Sequence, residues 1–123
     1  MKFSTRKGVP TIKVTINGKG AKFLIDSGAN SSFVDSSLAR KFAFNIVENN
    51  AVLHGAGGKV QMYDVYKCKI VTEDGPLDIR MKAIDFSNVR EGFGIAGIIG
   101  SDYLIKNKMN IDYSTKQLYT CSE

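Results

Sequence analysis

A chain of 123 residues that is 43% hydrophobic has room for one core and one domain. Its 17 basic and 12 acidic residues leave a net charge of +5. The basic residues are scattered, mostly at the polar positions of alternating segments (Lys13, Lys22, Lys67, Lys69, Arg80 and Lys82 among them), with no basic-and-aromatic cluster to stack bases, so no nucleic-acid partner is expected. No apolar run approaches the roughly 20 residues that span a bilayer. Residues 1–7 carry charge but no apolar stretch of a secretory signal, so no membrane role is expected, and the location is cytoplasmic if the chain is complete.

Thr11-Ile12-Lys13-Val14-Thr15-Ile16 alternates strictly and predicts a strand with Ile12, Val14 and Ile16 on one face. Asn17-Gly18-Lys19-Gly20 supplies hairpin chemistry, and residues 21–25 form the return strand. That strand leads into Phe23-Leu24-Ile25-Asp26-Ser27-Gly28-Ala29-Asn30, where three apolar residues meet an ionisable one and small residues follow. A carboxylate at such a junction is costly to bury unless it is paired, hydrogen-bonded or protonated. Asp26 is therefore a candidate catalytic acid. Aspartate at a strand end also closes turns onto the following amides, and this segment alone leaves both readings open.

A short helix is expected over residues 35–42, with Leu38 and Phe42 sharing a face. Gly55-Ala56-Gly57-Gly58 then opens a long alternating strand with Val60, Met62, Tyr66, Cys68 and Ile70 on one side, interrupted at Asp64. These glycines lack the spacing and the following Lys-Ser/Thr of a phosphate-binding loop. Glu73-Asp74-Gly75-Pro76 reads as a turn, Ile79, Met81 and Ala83 as the inward face of another strand, and residues 90–94 as a loop. Ile98-Ile99-Gly100 reads as a short buried strand that stops sharply. Ser101 is the expected N-cap of a short helix through Lys106 and Lys108. Residues 109–113 and 116–120 pair around Ser114-Thr115.

Cys68 falls at a strand position and reads as a small buried apolar residue; Cys121 lies near the end, and a single bridge between them stays open. With one histidine, His54, which reads as an exposed loop residue, neither a zinc site nor a Cys-His nucleophile is supported. Tyr63 and Tyr66 read as packing residues.

An acid loop, a glycine-rich loop opening a long hairpin, and an Ile-Ile-Gly stop before a short helix occur in that order. Together they resemble the retropepsin-like aspartic proteases, single-lobed relatives of pepsin, and within them the gag-polyprotein aspartyl protease type. The resemblance spans residues 10–119, and its strongest pieces are Phe23-Leu24-Ile25-Asp26-Ser27-Gly28-Ala29 and Gly97-Ile98-Ile99-Gly100-Ser101-Asp102-Tyr103-Leu104. It implies an all-β acid-protease barrel with two short helices, one domain over residues 1–123 with its core at about 10–120, and no metal or other cofactor. Asp26 then matches the catalytic aspartate. Ser27 matches the hydroxyl residue that braces two active-site loops against each other, with Gly28 and Ala29 completing the loop. Gly55, Ala56, Gly57 and Gly58 match the flap that closes over a bound peptide, and Asn30 lies near the substrate main chain. Ile98, Ile99 and Gly100 match the segment that threads behind the acid loop. Val52, Val60 and Ile99 are candidate pocket walls.

The family chemistry needs two carboxylates sharing one proton, and this chain has one acid loop. The resemblance therefore implies a homodimer that hydrolyses a polypeptide substrate with one Asp26 from each copy. Residues 1–7 and 117–123 are polar, so no retroviral-style interface of chain ends is evident. The alternative is a catalytically inactive peptide-binding or dimerisation module on the same fold. A lipocalin-like ligand barrel is a third class, but it would need more evenly repeated strands and no Ile-Ile-Gly stop.

Overall fold

Ile12, Val14 and Ile16 are all buried, as their alternation requires, and the strand they define opens the hairpin that frames the molecule. The structure, a computed structural model, describes residues 1–5, 8–54, 60–85 and 95–120, with residues 50–54, 60 and 61 described by their backbone alone. β1 (Thr11–Ile16) turns through Asn17 and Gly18, at φ 51° and 81°, into β2 (Lys19–Ile25). Left-handed conformations at both turn positions match the twist of the flanking strands. The return strand thus starts two residues before the expected residues 21–25.

β3 (Phe33–Asp35) runs directly into α1 (Ser36–Lys41), with Asp35 as N-cap and Phe42 as C-cap. β4 (Asn45–His54), β5 (Val60–Thr72) and β6 (Gly75–Ile84) form an antiparallel meander. β7 (Gly97–Ile99), α2 (Ser101–Lys106), β8 (Met109–Asp112) and β9 (Gln117–Thr120) follow. Seven strands make one sheet in the order β1-β2-β7-β3-β6-β5-β4, and Thr15 of β1 pairs with Val71 of β5. That pairing closes six strands into a barrel and leaves β4 outside it. The domain is mostly β, as expected, with two short helices among the described residues.

Phe23, Val34, Cys68, Ile70, Met81 and Ile99 are 1% exposed or less and fill the barrel. Large apolar side chains buried to this degree each contribute about 1.5–3 kcal/mol. Burial pushes the free Cys68 thiol up to about 12, so it is an inert core residue. Cys121 lies outside the described residues.

Several local expectations are corrected. Met62 is 60% exposed, against expectation, while Tyr63 and Tyr66 are buried, as expected of packing residues. Tyr66 joins the core with Cys68 and Ile70, whereas Tyr63 and Val65 line a cleft with Lys82 on the other face of β5. Opposite this stretch β4 carries two bulges, with extra residues between Ile46 and Glu48 and between Glu48 and Ala51. The turn before β6 is shorter than Glu73-Asp74-Gly75-Pro76, because Gly75 already pairs with Thr72 and Pro76 with Val71. Gly100, not Ser101, caps α2, which ends at Lys106; Lys108 lies past it at φ 51°.

The amino-terminal segment is not merely polar. Phe3 is buried in the core and meets Tyr113 edge-on at 5.8 Å. Met1 donates from its amine to the Leu118 carbonyl at 2.9 Å and pairs with Asp74 at 2.8 Å, while Lys2 bridges Gln117 beside β9. On the β8–β9 turn, the Ser114 hydroxyl and the Thr115 amide donate to Asp112 and hold its carboxyl below the usual range.

Candidate active site

β2 carries the chain from the buried Ile25 to a half-buried Asp26, and Ser27, Gly28 and Asn30 are exposed, with Ala29 between these extremes. The acid is less buried than its apolar approach suggests, because the loop emerges at the end of the barrel. Its backbone is fixed nonetheless. The Asp26 amide donates to the Ile99 carbonyl at 3.0 Å, and the Ala29 amide returns to the Asp26 carbonyl at 3.1 Å. The Gly28 amide donates to Asp26 Oδ1 at 2.9 Å. Asp26 therefore does close its own turn, and that bond also fixes the carboxylate, leaving Oδ2 without a partner among the described residues. A Cβ on Gly28 would lie 3.2 Å from Oδ1 and crowd it.

β7 supplies the platform. It runs parallel to β2, pairing Leu24 with Ile98 and Ile25 with Ile99, and antiparallel to β3, pairing Phe33 with Ile98. Ile98 is half-buried, whereas Ile99 is 1% exposed and belongs to the core, so Ile99 is not a pocket wall. The alternation of β7 turns it inward. At the end of β7, the Ser101 amide donates to the Ala29 carbonyl at 2.7 Å, which ties the start of α2 to the acid loop.

This approach leaves no room for side chains. A Cβ on Gly100 would lie 2.4 Å from the Ser31 carbonyl oxygen and 2.7 Å from that of Ala29, and one on Gly97 would lie 2.3 Å from the Phe33 carbonyl oxygen. All three obstacles are backbone. Gly100→Ala is expected to destabilise the fold by about 1–3 kcal/mol or more, read as a lower denaturation midpoint at unchanged slope. An unchanged midpoint would mean that the loop and β7 can separate freely.

A second tie joins the loop to α2, and it was not legible in the sequence. Ser32 is 1% exposed. Its amide donates to Asp102 Oδ2 at 3.0 Å and its hydroxyl to Asp102 Oδ1 at 2.7 Å, while that hydroxyl accepts from the Gly100 amide at 3.0 Å. Asp102 Oδ1 also accepts from the Tyr103 amide at 2.8 Å. A carboxylate accepting several N–H and O–H bonds makes a strong clamp. Here it spans 70 residues of sequence.

Lys82 also departs from expectation. Instead of standing on a solvated sheet face it is half-buried. Its ammonium donates to the Ser31 hydroxyl at 2.8 Å and lies 5.0 Å from the centre of the Tyr63 ring. β4 and β5 pair as far as His54 with Val60. Gly55, Ala56, Gly57 and Gly58 between them lie outside the described residues, as do the side chains of Val52 and Val60.

The sequence profile of the family described as aspartyl protease matches residues 12–103. No curated protein sequence shows significant similarity. The fold is shared with the retroviral protease-like domain of Ddi1 from Leishmania major (TM-score 0.61, 18% identity, 98% of this chain and 87% of that one). A retropepsin-like aspartic protease from Rickettsia conorii is similar too (TM-score 0.59, 18% identity, 95% and 84%). So is the EIAV protease, solved in complex with the inhibitor HBY-793 (TM-score 0.59, 20% identity, 84% and 91%). A barrel of retropepsin-like topology and a profile match over most of its length establish that this chain belongs to the aspartyl protease family.

Proposed function

We propose that the protein is an aspartic endopeptidase that acts as a homodimer, with one Asp26 from each copy at the two-fold axis. The observation that carries this reading is the state of the acid loop. Asp26 is clamped from behind at Oδ1, and its exposed side, with Oδ2 and the Ser27 hydroxyl, has no partner among the described residues. Two further acids among the described residues are already engaged. Asp102 is committed to Ser32 and Tyr103, and Asp35 is 1% exposed and accepts from the Ser37 hydroxyl.

In this mechanism the two Asp26 carboxyls share one proton, because two like charges at such short range cannot both persist. The ionised one takes a proton from a water molecule, whose oxygen attacks the scissile carbonyl carbon. The protonated one donates to the carbonyl oxygen as the tetrahedral intermediate forms. Collapse breaks the C–N bond, and a proton passes from the dyad to the leaving nitrogen. Ser27 braces one loop against its partner, Gly28 and Ala29 complete the acid loop, and Asn30 lies near the substrate main chain. Gly55 to Gly58 close over the peptide and exclude water. Ile98, Ile99 and Gly100 hold the loop from behind. The chemistry uses no cofactor.

Cleavage of a mixed peptide library, followed by mass spectrometry at several enzyme concentrations, tests this. The rate should rise with nearly the square of concentration where monomer dominates, then become linear once the dimer saturates. Strict linearity at every dilution would remove the shared site, and no cleavage at any concentration or pH would favour a peptide-binding module.

A further inference from the structure

Next to Ser32, where the acid loop meets β3, the structure holds an open cleft of about 350 Å³, lined also by Glu48, Tyr63, Val65, Arg80, Lys82 and Asp102. Its two acids and two bases are held in different ways. Asp102 accepts three hydrogen bonds from the neutral groups of Ser32 and Tyr103. Glu48 pairs with Arg80 at 3.9 Å. Lys82 has a hydroxyl and an aromatic face as neighbours and forms no ion pair among the described residues. It sits in the middle of the sheet, between Val65 on β5 and Phe33 on β3. A half-buried ammonium costs solvation that a hydroxyl replaces incompletely. It also carries three N–H donors, of which the Ser31 hydroxyl takes one.

We infer that Lys82 is a specificity-determining residue that binds an acidic side chain of the peptide substrate in this cleft. The inference rests on the endopeptidase reading above and names its substrate class. Ser31, which Lys82 holds, is five residues beyond Asp26 in the same loop, a span of at most about 17 Å. An extended peptide advances about 3.3 Å per residue, so the acidic residue lies within about five positions of the scissile bond. A carboxylate there would accept from the Lys82 N–H groups that the Ser31 hydroxyl leaves open, donors that a lysine or arginine side chain cannot use. The net charge of +5 favours acidic peptides at the encounter stage too. Tyr63 forms an apolar wall beneath the ammonium, so the carboxylate binds where water is partly excluded and the charge-assisted bond is strengthened.

The test compares the wild type with Lys82→Gln, Lys82→Arg and Lys82→Glu on a peptide library, reading kcat/KM by position. The wild type should prefer Asp or Glu about tenfold or more over Gln at one position within five residues of the cleaved bond. That preference should weaken as salt is raised. Lys82→Gln should bring the ratio to about 1, Lys82→Arg should keep a preference, and Lys82→Glu should turn it toward Lys or Arg. Thermal melting of each variant separates loss of fold from loss of selectivity. Cleavage by the wild type with no acidic preference near the bond, or a preference that survives in folded Lys82→Gln, overturns this inference and leaves the endopeptidase reading standing. Absence of any cleavage by the wild type overturns both.

Discussion

Replacing Asp26 by asparagine is expected to lower peptide hydrolysis by about a thousandfold or more while leaving the fold intact. Asparagine keeps a carbonyl oxygen where Asp26 Oδ1 accepts from the Gly28 amide, so the turn survives and stability should stay within about 1 kcal/mol of the wild type. What disappears is the group that can hold or release the shared proton. The proposed dimer sharpens this prediction, because a mutant chain would then also disable any wild-type chain with which it pairs. With random exchange, an equal amount of Asp26→Asn should leave about half of the wild-type activity, and a ninefold excess about a tenth. Titrating the variant into a fixed amount of wild type, at concentrations where dimers dominate, reads this directly. Activity indifferent to the added variant would mean that one chain is sufficient.

Asp102→Ala should have the largest effect on stability among the substitutions near the loop. It removes the acceptor of the Ser32 amide, the Ser32 hydroxyl and the Tyr103 amide together. Ser32 is buried behind the carboxylate, and leaving its donors to whatever water enters costs about 1–3 kcal/mol. That is a large share of the roughly 5–15 kcal/mol that holds a domain together. A fall of about 10 °C in Tm is the expected reading by circular dichroism. Asp102→Asn retains one acceptor and should fall between the two. If Asp102→Ala melts with the wild type, the clamp contributes nothing and the acid loop is held by β7 alone.

The parts of this molecule that could be read in advance are those where neighbouring residues carry the reason for their own conformation. The alternation of Ile12, Val14 and Ile16 and the Asn17-Gly18 turn define the first hairpin without help from elsewhere. Asp26-Ser27-Gly28 and Ile98-Ile99-Gly100 were legible as segments that stop strands sharply, and their family resemblance supplied the order in which they meet. What escaped was set by partners distant in sequence. The exposure of Met62 is one case: Asp64 marks a break in the alternation of β5, but the two bulges opposite it lie on β4. Ser101 looked like a cap because serine usually is one, but the Ala29 carbonyl takes its amide and Gly100 becomes the boundary. Asp102 lies in the first turn of α2, and Lys82 alternates as a strand lysine. Their roles come from Ser32 and Ser31, brought to them by the pairing of β3 with β6 and β7.

The insertion of β7 between β2 and β3 governs when this site can come into being. β2 and β3 belong to one short stretch of sequence, yet the gap between them is filled by residues 97–99, and the Ser32–Asp102 tie closes a loop of 70 residues. Closing such a loop costs entropy before any contact rewards it, which places this step late and makes it slow. During synthesis the acid loop stays unbraced until residues 97–102 have left the ribosome. A nascent or truncated chain would thus carry Asp26 but not its geometry, and a cell would meet this acid in working form after the whole barrel has closed.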